Sequence, residues 1–325
     1  MAYFKAGTRS TVHGIESCGE RKPGSGDKIG REAMIGVRRL PSAECNRAEK
    51  IRAANIRYHT KLSKTYDETQ PHFKQENVTQ VRERLKRLAK TTGGGRLLDI
   101  GCGTGFVLSI AAPFFDEVYG IDITPAMLER ARKMARSKKI RNIKLVEAGC
   151  DDAPFPDEHF DIVTAYGVLH HLPELQPTFK EVRRVLKKKG IFYADEDPNY
   201  YFWQSMRSLP AKRAVISDIL ETERKSVCEM VGEVQGVVGA GLDRQTIRDA
   251  EYQKTKGGFK EEHIVQLLKR AGFKKIDYEY NWFWQEGRVV RDLSLEDAKY
   301  FEDHLRAALP LTRSFFKYVG FEARP

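Results

Sequence analysis

Residues 97–106 read LLDIGCGTGF, and this stretch decides the fold. An apolar run enters a turn carrying glycines at positions 101, 103 and 105, and an apolar helix-forming segment follows at once. Such a turn lets backbone N–H groups come close to a ligand at a helix N-terminus. The dinucleotide fingerprint G-x-G-x-x-G needs a glycine three residues after Gly103, where Phe106 stands. A phosphate-binding Walker loop needs Gly-Lys-Ser/Thr, which does not follow. Both readings are disfavoured. A second signal lies 20 residues on, where Asp122 ends the apolar run of VYGIDIT, the place where an acidic side chain meets ribose hydroxyls in doubly wound folds.

Outward from this stretch, strands and helices alternate. RLLDI, EVYGIDI, IKLVEA, FDIVTAYGVL and GIFYADED read as five strands. The helices GFVLSIAAPF, PAMLERARKMARSKK (with Pro125 at its start) and LQPTFKEVRRVLKK lie between them. That rhythm implies a parallel sheet covered on both faces. Upstream, residues 46–70 read as surface helices. Residues 77–90 read as an amphipathic helix with Asn77 as its cap, a stripe of Val78, Val81, Leu85 and Leu88, and Gly93 at its end. Downstream, residues 199–258 break the rhythm as a mainly helical insertion. KEEHIVQLLKRAGF, KKIDYEYNWFW, LEDAKYFEDHLRAAL and SFFKYVGFEA then read as helix, strand, helix and strand. The expected fold is α/β: a Rossmann-like doubly wound sheet of seven strands, mostly parallel with the last antiparallel. A helical cap precedes it and a helical lid is inserted in it. The expected division is a basic segment 1–48, a cap 49–95, a cofactor-binding core 96–198, a lid 199–258 and the rest of the sheet, 259–325.

Charge bounds the function. Of the formal +11, residues 1–95 carry +10 (20 Lys/Arg against 10 Asp/Glu), while residues 96–325 carry +1. The body is nearly neutral, so a nucleic-acid partner is not favoured, and the basic start reads as a solvated tail. Met34 is an alternative start. Five scattered cysteines without a CxxC fit a reducing cytoplasm, with neither a disulfide framework nor a zinc cluster. No apolar run of about 18 residues suggests a membrane span.

LLDIGCGTG, VYGIDIT, FPDEHFDIVTAYGVLHHL and EVRRVLKKKGIFYADEDP resemble the successive motifs of class I S-adenosylmethionine-dependent methyltransferases, in the type 11 group that includes ubiquinone and menaquinone biosynthesis enzymes. The resemblance implies S-adenosylmethionine as the cofactor. By position it implies that Asp99, Gly101, Cys102, Gly103 and Gly105 hold the methionine part, that Asp122 binds the ribose hydroxyls, and that Ile123 and Met127 pack on the adenine. Cys150 (through its backbone N–H) and Asp151 stand where relatives meet the adenine ring. Gly149 replaces an aspartate there, which weakens that part of the match. Tyr166 joins this set. Tyr66 either closes over the cofactor or packs.

The acceptor is less legible. Methyltransferases of exocyclic amines and glutamine amides carry an Asn/Asp-Pro-Pro-Tyr segment at the end of the fourth strand, where this chain has AYGVLHH; DPNY (197–200) comes one strand later and reads as strand exit and substrate loop, which argues against both substrate classes. Aromatic density in YYFWQSM and YEYNWFW reads as core for about half of these residues; the rest, with Tyr278, Tyr280 and Trp282 on one strand face, suits a small hydrophobic or aromatic acceptor. The alternative is an RNA or protein methyltransferase anchored by the basic segment, and after it a non-catalytic scaffold. His170 and His171, being adjacent, are read as poorly placed to chelate one metal together, and methyl transfer needs none. His171 is the candidate base or orienting group, against a structural role.

Overall fold

The computed structural model describes residues 42–209, 218–230, 241–283 and 295–325. Residues 1–41 of the basic segment, Met34 among them, lie outside the described residues, as do 210–217 and 231–240 of the expected lid and the Trp282 side chain; residues 42–48, expected in that segment, are helical and open the cap. Helices α1 (Ser42–Leu62), α2 (Tyr66–Thr69) and α3 (Gln75–Thr92) precede the sheet. The α3 stripe is as its spacing demands: Val81, Leu85 and Leu88 are buried, and Gly93 caps the end in the left-handed region. Its start is two residues earlier than expected. Lys74 is the cap, because Gln75 and Glu76 are good helix formers and carry the helix back past Asn77.

From there β1 (Arg96–Ile100), α4 (Phe106–Ala111), β2 (Glu117–Asp122), α5 (Pro125–Ser137), β3 (Ile143–Glu147), β4 (Phe160–Tyr166), α6 (Leu175–Val185) and β5 (Leu186–Pro198) alternate. A 3-10 turn, Leu169–His171, links β4 towards α6. Leu186 begins the fifth strand instead of ending the helix, since it pairs with Phe160. Helices α7 (Tyr200–Ser208), α8 (Asp218–Met230), α9 (Arg244–Ala250) and α10 (Tyr252–Thr255) belong to the insertion. Then α11 (Glu261–Arg270), β6 (Lys275–Phe283), α12 (Leu295–Ala307) and β7 (Phe316–Arg324) complete the described chain.

The strand order is β3-β2-β1-β4-β5-β7-β6, and β7 alone is reversed, antiparallel to both β5 and β6. Period-two alternation divides the core. Leu97, Ile162 and Ile191 pack with α3 and α4, while Leu98, Val163 and Phe192 pack with α6 and α11. Each such side chain contributes about 1.5–3 kcal/mol by burial. The order reverses direction between β1 and β4, and the crevice at the carboxyl ends there is the place where an open sheet takes a ligand.

Candidate active site

The glycine loop leaves β1 at this crevice. Gly101 and Gly103 both lie at positive φ, 66° and 51°. Their surroundings differ. A Cβ on Gly101 would stand 2.2 Å from Val168 Cγ2, whereas one on Gly103 would meet nothing within 4 Å. Gly101 is thus demanded by packing, and Gly103 faces open space. The Gly103 N–H donates to Asp122 Oδ2 at 2.9 Å, and Thr124 N–H donates to Oδ1 at 2.7 Å. Both oxygens keep lone pairs for further donors. Asp99 is buried and accepts from Thr164 Oγ1 at 2.6 Å; burial pushes its carboxyl up to about 7.

The other sequence candidates divide. Met127 is buried at the start of α5, and Ile123 is half-buried beside it. The Cys102 and Cys150 side chains are buried, with burial raising both thiols, so only their backbones are available to a ligand. Asp151 is exposed, and a Cβ on Gly149 would lie between its carboxylate and the Arg52 guanidinium. The Tyr66 and Tyr166 rings flank His72, at 5.9 and 5.8 Å, in an aromatic group with Phe73 and Phe106. The aromatics of the insertion go elsewhere: Phe202, Trp203 and Met206 make a small core of their own with Val227. Tyr280 packs in the main core with its hydroxyl on Glu261, and Tyr278 packs against that core. Those residues are core, not lining, because α8 and α11 cover them.

The histidine pair corrects the argument from spacing. On a 3-10 turn the two rings lie 4.0 Å apart, and Glu251, 80 residues on, brings a third donor; donor atoms of His170, His171 and Glu251 all fall within 4.8 Å of one another. Each Nδ1 is taken: His170 by Asp197 Oδ1 at 2.9 Å, His171 by the Ala250 carbonyl at 2.7 Å. Lys254 Nζ stands 2.7 Å from Glu251 Oε2 and supplies the positive charge that a cation would bring. Burial lowers His171 to about 3, so its ring is neutral near pH 7 and a weak base. From α1, Asn55 donates to the His171 carbonyl at 3.1 Å and His59 packs edge-on to its ring at 4.7 Å. Gln253 donates to the Leu172 carbonyl at 2.9 Å. Helices α1, α9 and α10 are thereby fastened to the turn beside the crevice.

Of the acids that end β5, only Asp197 belongs to a segment singled out in the sequence for the acceptor, DPNY; Asp195 and Glu196 carry no motif of their own. Asp195 accepts from Tyr193, Asn281 and the Glu196 N–H, and Asp197 pairs with His170. Between them, Glu196 sits at φ 63° in a register shift against β7. A buried non-glycine residue in that region costs about 1–3 kcal/mol. The DED triplet was the available signal; the backbone reversal that gives it meaning leaves none. Open grooves elsewhere, such as one of about 840 Å³ between α11 and Pro310–Arg313, contain none of the loop residues.

Residues 98–194, which span the loop, Asp122 and both histidines, match the family model described as a methyltransferase domain. Residues 98–194 are a methyltransferase domain. The chain is similar to the uncharacterized methyltransferase YcgJ of Bacillus subtilis (strain 168), 35% identical over 134 residues, 39% of this chain and 53% of that one. It is also similar to a demethylmenaquinone methyltransferase of Geobacillus kaustophilus (strain HTA426), 31% identical over 138 residues, covering 42% and 59%. Aklanonic acid methyltransferase DauC of Streptomyces sp. (strain C5) is 37% identical over 115 residues, covering 34% and 50%. The chain thus spans between half and three fifths of these curated relatives. The methyltransferase domain holds every loop residue and Asp122, whereas α1–α3, the insertion and the last two strands lie outside the matched residues.

Proposed function

We propose that the protein is a methyltransferase that uses S-adenosylmethionine to methylate a small hydrophobic or aromatic metabolite. The observation that carries this reading is the joining of the glycine loop to Asp122 through Gly103 N–H, with open space above Gly103. That arrangement fits the cofactor: Asp122 offers its free lone pairs to two ribose hydroxyls, Met127 and Ile123 flank the adenine, and the loop N–H groups and Asp99 meet the methionine end. The cofactor supplies a methyl carbon activated by a sulfonium that departs as a neutral thioether. The protein's task is then alignment and exclusion of water. Helices α1, α9 and α10, fastened over the histidine turn, serve as the lid, and the ring group of Tyr66, His72, Phe73, Phe106 and Tyr166 favours an aromatic acceptor. His171 positions that lid and the acceptor through a neutral ring. The named acceptors of the demethylmenaquinone and aklanonic acid enzymes support the same chemical class.

Calorimetric titration with S-adenosylhomocysteine tests the reading. The full-length protein is expected to bind it, and Asp122→Ala to bind roughly 100-fold more weakly, as two hydrogen bonds to a carboxylate are lost. Equal affinity in the two proteins would remove Asp122 from the site and the reading with it.

A further inference from the structure

Glu196 is held where an ordinary strand residue would not be. Its backbone is left-handed in the middle of the β5 register shift, and its residue exposure is 7%. The carboxylate lies over the end of β4, since a Cβ on Gly167 would stand 3.0 Å from Oε2. Gly167 also donates its N–H to the Asp195 carbonyl at 2.8 Å, which locks that strand end to the shifted one. One oxygen is used and one is not. His72 Nδ1 donates to Oε1 at 3.0 Å, while Oε2 is buried without a hydrogen-bond partner. His72 in turn packs among Phe73, Phe106, Tyr66 and Tyr166, the ring group at the crevice. Of the three acids, Asp195 has partners for both oxygens; Asp197 also has a buried oxygen without a partner, Oδ2, but its Oδ1 is tied to the histidine turn by the His170 ring and N–H and its backbone is not left-handed. Glu196 alone combines a strained backbone, a fixed carboxylate and a glycine opposite its orphaned oxygen.

A buried carboxylate oxygen lacking a donor is costly unless a ligand brings one, and backbone strain of this kind persists where the surrounding structure enforces it. We propose that Glu196 is the proton acceptor for a methyl acceptor bearing an ionisable aromatic hydroxyl, and that His72 is the positioning residue that aims it. The inference rests on the methyl-transfer reading above and narrows its substrate class. The acceptor O–H gives its proton to Glu196 Oε2 as a lone pair of the acceptor's own oxygen bonds to the methyl carbon. The C–S bond breaks, and its electron pair stays on sulfur. The products are an aryl methyl ether, a neutral thioether and a protonated Glu196; the proton then passes to water as the site opens.

The experiment uses the full chain and two probes, 2-naphthol and 2-naphthylamine. The naphthol must lose a proton to become a good nucleophile, whereas the neutral amine presents its lone pair directly. S-adenosylhomocysteine is expected to bind wild type and Glu196→Gln within about threefold of each other. Absence of binding to both would sink the methyl-transfer reading itself, a failure distinct from that of Glu196. With labelled S-adenosylmethionine, Glu196→Gln is expected to lose roughly 100-fold or more in naphthol methylation but less than about threefold with the amine. By titration, its S-adenosylhomocysteine complex should hold 2-naphthol about tenfold more weakly than the wild-type complex. Equal losses for the two probes, or undiminished naphthol turnover, overturns the role. So does a wild-type protein that binds S-adenosylhomocysteine yet leaves 2-naphthol unmethylated. His72→Asn keeps a donor near the Nδ1 position and should retain most naphthol turnover, whereas His72→Leu should lose it; the same loss in both would remove His72.

Discussion

Two glycines two residues apart in one loop carry different burdens. At Gly101 an added methyl collides with Val168 and the backbone is left-handed, so Gly101→Ala should cost about 2–4 kcal/mol of folding stability by urea titration. At Gly103 the space is open, so Gly103→Ala should cost only about 1–2 kcal/mol, yet weaken S-adenosylhomocysteine at least tenfold by intruding on the ligand. The reverse ranking would refute this division. Asp99 carries a pH signature. Burial raises its carboxyl from an ordinary 3.8 to about 7, so the folded state holds that proton more tightly than the unfolded chain does. Stability from this group is therefore present below pH 4 and is lost as pH rises to about 7, by up to the order of 4 kcal/mol. Asp99→Asn should flatten the unfolding free energy across that window, and an unchanged slope would refute the assignment. The sequence made Asp122 and the glycines legible because strand, turn and strand end are local. It left Glu196 and His72 illegible, since they meet across 124 residues.

At the scale of elements, the 3-10 turn Leu169–His171 settles what the HH dipeptide could not. A strand would have sent the rings to opposite faces; the tight turn brings them together and lets α9 and α10 close on them. The histidines there are held neutral by burial, His171 at about 3 and His170 also well below its ordinary range. The unfolded chain thus binds these protons more readily, and stability falls as pH drops from about 6.5 towards 3. His171→Gln should remove part of that acid lability, read as a shallower fall in melting temperature between pH 6.5 and 4; an equally steep fall would count against it. The fifth strand was legible in GIFYADED but began four residues early, because pairing of Leu186 with Phe160 outweighs the helix propensity of LKKK. The aromatic strand KKIDYEYNWFW was legible as a strand and misleading as a pocket wall, since a strand's own pattern does not tell which helix will cover it.

In the whole molecule, the parallel core and its crevice are joined to segments far apart in the chain. Helix α1 packs on α9 through Tyr58, Ile247 and Ala250, and both reach the histidine turn. Ligand binding at the crevice should therefore tighten the cap and the insertion together. At 100 times its dissociation constant, S-adenosylhomocysteine is expected to add about 2.7 kcal/mol to stability. It is also expected to slow limited proteolysis within residues 199–258; cleavage at the same rate with and without it would count against the lid. No helix among the described residues is long and apolar enough to cross a membrane. The alternation of strands and helices along the chain, the glycine turn and the acidic end of the second strand were set by the sequence alone, because period-two and helical patterns, glycine turns and strand ends act within a few residues of themselves. Which polar groups meet at the crevice was decided only by the tertiary structure. His72 reaches Glu196, Asn55 reaches His171 and Glu251 reaches the histidine pair through packing of elements that no local pattern brings together. Burial at that convergence, which a linear chain does not display, sets the basicity of each group.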